Sequence, residues 1–97
     1  MVRRALSARP ANALAIARIL RHPEEFDGRT VSISGRVGQV FRMGDSHAFY
    51  LHQGSDTIVV FTRTRTPVES ERIVLTGSVS AGVLDGVARA AVFETAK

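Results

Sequence analysis

Two segments of the chain repeat the same seven-residue layout, and this repeat constrains the fold more than any other feature of the sequence. Residues 31–37 and 73–79 both carry apolar side chains at their first, third and seventh positions, and both have a glycine at the fifth, Gly35 and Gly77. Alternation of apolar and polar residues is typical of a half-buried β-strand. A glycine within a strand marks a bulge or a sharp bend, which a strand needs at the corner of a closed barrel. The repeat therefore predicts a small barrel with two bent strands.

Further stretches of the chain have strand character, and turn residues separate them. A polar connection at residues 64–71, which contains Pro67, is too short for a helix of ordinary length. Short strands separated by turns predict a mainly β fold, a five-stranded barrel or sandwich that carries one helix. The predicted strands are residues 30–37, with an extension as far as Phe41, and residues 48–52, 57–62, 72–79 and 87–95.

The N-terminal part of the chain differs from the rest. Residues 1–10 show little apolar periodicity, and we expect them to form a flexible arm. Helical periodicity follows over residues 11–22, and the helix is expected to end there because Pro23 restricts the residue before it. The barrel is expected to occupy residues 29–96, so that residues 11–97 form a single domain.

The positive charge of the chain is concentrated at its N-terminus. The formal net charge is +4. Residues 1–21 contain five arginines and no acidic residue, whereas residues 22–97 contain seven arginines, one lysine and nine acidic residues, a net charge of −1. Any attraction of the barrel for nucleic acid must therefore come from the local placement of its arginines or from the N-terminal segment.

Several classes of function lack support in the sequence. The chain has no cysteine, which excludes disulfides and thiolate metal sites. His47 and His52 are five residues apart and would face opposite sides of a strand, and no nucleophile with a matching base stands out. We therefore expect no metal, no cofactor and no enzymatic activity.

The sequence shows no segment that would span a membrane. The longest apolar run after Arg3 and Arg4 is residues 13–17, which is too short for a signal sequence or a membrane span. We expect a soluble protein, cytoplasmic by default. An envelope location stays open if an upstream signal has been removed.

The order of these elements resembles an OB-fold, in particular the small bacterial OB-fold proteins, and is similar to the anticodon-binding-like OB domains. The resemblance covers about residues 20–97 and implies a Greek-key barrel with one N-terminal helix before the first strand. In the small bacterial type that helix closes the open end of the barrel, and here it would do so with Ile16, Ile19 and Leu20. OB barrels bind nucleic acid, sugars or proteins, so the resemblance indicates the fold more specifically than the ligand. The matching residues are 26–37, 49–51, 58–60 and 73–79.

The second and third strands present a candidate ligand-binding face. Their apolar residues of one parity are expected to point inward, which leaves an outward row that contains aromatic side chains. Aromatic rings of this kind stack on bases, and arginines on or beside the strands neutralise phosphates. Loops at residues 39–46 and 80–86 would form the rim. The predicted ligand-binding residues are Arg36, Arg42, Tyr50, His52, Val59, Phe61, Arg63 and Arg65.

Two functions fit these observations. The favoured one is a non-catalytic binding module that contacts a protein partner or a second copy of the chain through Val59 and Phe61, or acts as a structural domain. The alternative is binding of single-stranded nucleic acid, DNA or RNA, with Tyr50 and Phe61 stacking on bases. Arg63 and Arg65 alternate with threonines, which suits either two successive phosphates or the protection of a strand end by charge.

Overall fold

Two short helices followed by five β-strands make up the part of the chain that the computed structural model describes, residues 13–84 and 86–95. The predicted arm at residues 1–10 and the first residues of the predicted helix lie outside the described residues. Within those ranges no helix is long and apolar enough to cross a membrane. The elements are α1 (Ile16–Arg21), α2 (Pro23–Phe26), β1 (Thr30–Met43), β2 (Ser46–Gln53), β3 (Asp56–Thr62), β4 (Arg72–Leu84) and β5 (Val87–Glu94).

The strands form a closed barrel in the order β1-β2-β3-β5-β4, and β4 pairs back on β1. Neighbouring strands are antiparallel except for β3 and β5, which pair in parallel over residues 59–61 and 91–93. β1 takes part in two ladders, because residues 30–36 pair with β4 and residues 36–43 pair with β2. The predicted mainly β fold, a five-stranded barrel preceded by helical structure, is confirmed.

The hairpins are longer than the sequence predicts. β1 and β2 are joined by a two-residue turn at 44–45, where Gly44 has φ 64°, a left-handed conformation that favours glycine. β4 and β5 likewise remain paired almost to the end of their hairpin. Residues 39–46 and 80–86, which were predicted to be loops, therefore lie mostly in paired strands. Pairing is favourable there because the backbone N–H and C=O groups form hydrogen bonds across the strands, whereas in a loop they would bond to water.

Gly35 and Gly77 both lie where neighbouring strands approach closely. A Cβ atom at Gly35 would contact the carbonyl oxygen of His52. A Cβ atom at Gly77 would lie 2.5 Å from Cγ1 of Val92 and 2.7 Å from the carbonyl oxygen of Phe93. Both glycines of the sequence repeat are thus required by close contacts between strands.

The β-bulge of β1 lies beyond Gly35. The ladder between β1 and β4 runs without interruption through Gly35. The register between β1 and β2 shifts by one residue between Val37 and Val40, so of the two alternatives predicted for Gly35, a bulge or a sharp bend, the bulge is wrong. Since an extra residue reverses the alternation of side chains, the end of β1 presents the opposite set of residues to the outside.

The helical segment is shorter than predicted and is divided in two. Ala15 has an extended backbone (φ −70°, ψ 133°), and α1 begins only at the next residue. The N–H of Leu14 donates to the carbonyl of Ser32 over 2.6 Å, which holds the preceding residues along β1. Pro23 then begins α2, in the first-turn position that proline favours. Of the described residues in the predicted range 11–22, only 16–21 are helical; the helix ends before Pro23 as predicted, and a second short helix that was not predicted follows it.

The helices close the barrel with a partly different set of side chains from the predicted one. Ile16 and Ile19 are fully buried, as predicted, but Leu20 is 37% exposed. Because α1 has fewer than two turns, its inward side accommodates only two residues three positions apart. Phe26 of α2, 6% exposed, supplies the third large apolar side chain.

The barrel core follows the predicted alternation. Its buried residues come from every strand, and together with the buried residues of the helices they form one cluster. Val31 and Ile73 are partly buried and pack against it. The buried barrel residues of this cluster are Ile33, Val37, Phe49, Leu51, Ile58, Val60, Leu75, Val79 and Val92.

Candidate functional site

Aromatic and small apolar side chains cover the outer surface of four neighbouring strands. Phe41 of β1 is paired with Ala48 of β2, and Ala48 is paired with Phe61 of β3. The parallel pairing of β3 with β5 continues this row to Phe93. Directly opposed residues lie on the same side of a sheet, so the four side chains form one row across the barrel.

A second row lies beside the first. Tyr50 of β2 is paired with Val59 of β3, and Val59 is paired with Ala91 of β5. The residues between the two rows on these strands are buried in the core, which shows that both rows point outward. We refer to the two rows together as the aromatic face, which comprises Phe41, Ala48, Tyr50, Val59, Phe61, Ala91 and Phe93.

The rings of the aromatic face contact one another. Phe61 and Phe93 are stacked, with centroids 4.8 Å apart and planes inclined by 18°. Phe41 and Tyr50 meet edge to face with centroids 5.5 Å apart. Phe41 and Phe93 are 38% and 47% exposed, whereas Tyr50 and Phe61 are half-buried. The rings therefore support one another and still leave aromatic surface accessible.

Tyr50, Val59 and Phe61, which were predicted to point outward, lie on this face. The rings of Phe41 and Phe93 also lie on it but were not predicted to. Phe41 follows the bulge of β1. Strict alternation continued from the first half of the strand would predict that Phe41 points inward, and the bulge reverses this. Phe93 reaches the face only because β5 pairs with β3. Phenylalanines at those positions were visible in the sequence, but the pairing that brings them together was not.

Arg42 does not lie on the aromatic face. It follows Phe41 directly and is paired with His47, which lies two residues from the buried Phe49 and therefore on the same side of β2. The bulge is the cause, because it turns Phe41 outward and its neighbour to the other side. The structure thus separates Arg42 from the other predicted ligand-binding residues.

Arg65 is engaged by a buried carboxylate. Its Nε donates to both oxygens of Glu94 over 3.1 Å, and its Nη2 donates to Oε2 over 2.7 Å. The Glu94 side chain is only 6% exposed and also accepts a hydrogen bond from the Thr62 hydroxyl over 2.8 Å. β3 ends at Thr62, as predicted, so Arg63 and Arg65 both follow the strand. Arg65 therefore secures the β3–β4 connection to β5.

Charge is distributed unevenly around the aromatic face. No residue of the face is acidic, and the described acidic residues lie in or next to α2, at turns, in the β3–β4 connection or in the pair with Arg65. Arg36 and His52 are exposed at one end of the face, and Arg63 is exposed beyond the other end, where β3 stops. Within residues 13–84 and 86–95 the one ion pair is Arg65–Glu94, so Arg36 and Arg63 have no ionic partner there.

Histidines and carboxylates do not gather into a metal site. In the described part of the chain no group of three or more histidine, aspartate or glutamate residues is placed to hold an ion. His47 and His52 lie on opposite sides of β2, as their spacing predicts.

No protein-family model and no curated protein matches the chain. Solved structures do resemble it. Aspartyl-tRNA synthetase from Entamoeba histolytica superimposes with a TM-score of 0.64 and 15% identity, over 97% of this chain and 22% of that chain. Asparaginyl-tRNA synthetase from Pyrococcus horikoshii gives a TM-score of 0.63 and 15% identity, over 82% of this chain and 21% of that chain.

A third similar structure is a small protein of about the same size as this chain. It is OBody AM3L09, solved bound to hen egg-white lysozyme, with a TM-score of 0.67 and 18% identity over 91% of this chain and 93% of that chain. The chain spans only about a fifth of the length of the synthetases, 22% and 21% in the two cases. At these identities the similarities bear on the fold alone, and they agree with a five-stranded barrel. The chain has an OB-fold, similar to about a fifth of the aspartyl- and asparaginyl-tRNA synthetases that it superimposes on.

Proposed function

We propose that this barrel is a non-catalytic module that binds single-stranded nucleic acid on its aromatic face. The observation that carries the proposal is the combination of accessible rings with cations at both ends and no carboxylate on the face. Phosphodiester chains carry a negative charge at every nucleotide, and every base has a π-face that can stack on a ring. A surface of this composition accommodates both parts of such a ligand.

The similar solved structures support the same proposal. The matched regions are about a fifth of two synthetases that act on tRNA, which agrees with a binding domain more than with a whole enzyme. An OB barrel commonly uses its second and third strands for oligonucleotides. Tyr50, Val59 and Phe61 lie on these two strands and are half-buried.

The test is a titration of the chain with labelled single-stranded oligonucleotides at low salt, with variants that remove one ring each. Tyr50→Leu and Phe61→Leu keep apolar bulk but lose the aromatic surface. Stacking contributes about 1–3 kcal/mol per base, so each variant should weaken binding by about 5- to 150-fold. Leu20→Ala is the matched control, because it trims an exposed apolar side chain of α1 and should leave the affinity unchanged.

Three results would contradict the proposal. The first is the absence of oligonucleotide binding by the wild-type chain at low salt. The second is full-strength binding by both leucine variants. The third is a set of amide chemical shift changes that lie away from the aromatic face.

A protein ligand is the second candidate, and the exposure of Phe41 and Phe93 favours it. The barrel of OBody AM3L09 was solved bound to hen egg-white lysozyme, so a similar barrel has a protein partner. Contact between two copies of this chain through these rings would appear as a dimer in sedimentation experiments. Such an apolar contact should survive moderate salt, whereas nucleic-acid binding should weaken steeply.

A further inference from the structure

A row of basic side chains crosses three strands beside the aromatic face. Arg72 of β4 is paired with Arg36 of β1, and Arg36 is paired with His52 of β2. All three residues are exposed. Neighbouring strands are about 4.8 Å apart, so the row spans roughly 10 Å of the barrel surface. We call Arg72, Arg36 and His52 the basic row; Arg36 and His52 are among the predicted ligand-binding residues, and Arg72 is not.

The two arginines of the basic row oppose each other directly without a compensating acid. Like charges at opposed positions of neighbouring strands destabilise a sheet. Over residues 13–84 and 86–95 the single ion pair is Arg65–Glu94, so neither Arg36 nor Arg72 has an ionic partner in that part of the chain. A bound anion would relieve this repulsion, whereas the free protein keeps it.

His52 is held in place at the end of the row. Its Nδ1 lies 2.8 Å from the hydroxyl of Thr57 on β3. Its ring lies over Gly38 of the β1 bulge, where a Cβ atom would contact Nε2 and would approach Cδ2 to 2.7 Å. The hydroxyl and the missing side chain at position 38 together define where the imidazole sits. The ring is therefore positioned before any ligand arrives, which lowers the entropic cost of binding.

The basic row and the aromatic face are adjacent through Tyr50. Tyr50 and His52 are two residues apart on β2 and point the same way, with ring centroids 6.4 Å apart. A nucleotide whose base contacts Tyr50 therefore has its phosphate within reach of His52 and Arg36. Arg72 then lies beside Arg36 in the direction of β4.

We propose that the basic row binds consecutive phosphates of the single strand whose bases occupy the aromatic face, so that the ligand backbone crosses β2, β1 and β4. This inference rests on the proposed function and adds the path of the backbone to it. Contacts to phosphates carry no base preference, so the row contributes equally to every sequence.

The experiment measures the salt dependence of oligonucleotide binding for the wild-type chain, Arg72→Gln and Arg36→Gln. Each lost phosphate contact should lower the slope of log K against log salt by about 0.7 for a single strand. Between about 50 and about 200 mM salt each variant should thus lose about 2.6-fold less affinity than the wild type. Arg21→Gln on α1 removes the same charge away from the sheet and should keep the wild-type slope.

Thermal unfolding of the same variants separates a binding role from a structural one. Arg72→Gln removes a like-charge neighbour from the fold, so its midpoint should equal or exceed that of the wild type while its affinity falls. A lower affinity that is accompanied by a lower midpoint would overturn the inference, because loss of structure would then account for it.

The outcomes distinguish this inference from the proposed function. Oligonucleotide binding with an unchanged salt slope in both Arg72→Gln and Arg36→Gln would overturn the basic row and leave the proposed function standing. If no oligonucleotide binds, the proposed function fails, and a titration with sodium tripolyphosphate then tests the row alone. Chemical shift changes at Arg36 and Arg72 that Arg72→Gln abolishes would support an anion site, and their absence would exclude it.

Discussion

Replacing Gly77 with alanine should destabilise the barrel by about 2–3 kcal/mol. The new Cβ atom would lie 2.5 Å from Cγ1 of Val92 and 2.7 Å from the carbonyl oxygen of Phe93. Carbon atoms in contact normally lie about 3.5–4.0 Å apart, so one strand must move by roughly 1 Å. Val92 is fully buried and β-branched, and the Phe93 carbonyl belongs to the backbone of β5, so neither group can turn away. Overpacking a core costs about 1–3 kcal/mol, and a clash with backbone belongs at the upper end of that range.

Gly82→Ala is the matched control, since Gly82 lies on the same strand and a Cβ atom there would meet nothing within 4 Å. Its φ is not in the left-handed region, so alanine should be neutral or stabilise by about 0.4–1 kcal/mol through the unfolded state. Urea and thermal unfolding followed by circular dichroism measure both variants. A loss of 2–3 kcal/mol corresponds to a fall in midpoint of about 10–20 °C for a domain of this size. Equal stability of Gly77→Ala and Gly82→Ala would refute the argument that close strand contact requires glycine at 77.

Two further contacts lead to predictions of the same kind. Arg65→Gln should lower stability by about 1–3 kcal/mol in thermal unfolding, because it leaves the buried Glu94 carboxylate without its cation, and should leave the salt dependence of oligonucleotide binding unchanged. A reduced salt slope in that variant would show that Arg65 contacts the ligand instead. Gln53→Ala should cost about 1–2 kcal/mol, since the Gln53 amide accepts a hydrogen bond from the Ile16 N–H and donates one to the Ser34 carbonyl. Amide hydrogen exchange at Ile16 should become faster, and unchanged protection would contradict a tie between α1 and β2.

Alternation of apolar residues was enough to predict the barrel, because each strand buries one side. Ile33, Leu51 and Val60 are buried where the period of two places them. The repeated glycines lie where neighbouring strands approach closely, which the sequence did not reveal, and the bulge of β1 lies beyond Gly35 rather than at it. Strand ends were less predictable, because a strand continues as long as its partner offers hydrogen bonds, and partners are distant in sequence.

The helical segment illustrates a second limit of local sequence. Residues 13–15 fit a helical pattern, yet they lie outside α1 because the Leu14 N–H donates to the Ser32 carbonyl of β1. At the start of α1 the Ile16 N–H, which has no partner inside the helix, is satisfied by the side chain of Gln53. Both partners come from the barrel, so no periodicity within the N-terminal segment could indicate where the helix begins.

The aromatic face owes its composition to the bulge of β1 and to the parallel pairing of β3 with β5. Without the extra residue, Phe41 would point into the barrel and Arg42 would point outward. Without the closure of the barrel, Phe93 would not stack on Phe61.

These tertiary features also change the electrostatic argument. The net charge of −1 for residues 22–97 is an average over the whole barrel. It weighs against binding of nucleic acid only if the charges are spread evenly over the surface. The described acidic residues lie outside the aromatic face and the basic row, while Arg36, Arg72 and Arg63 lie at or near the face. Exposed charges more than about 10 Å away are largely screened at 0.1 M salt. The potential that a ligand meets is therefore determined mainly by the groups beside it, and the aromatic face and the basic row contribute arginines and no carboxylate.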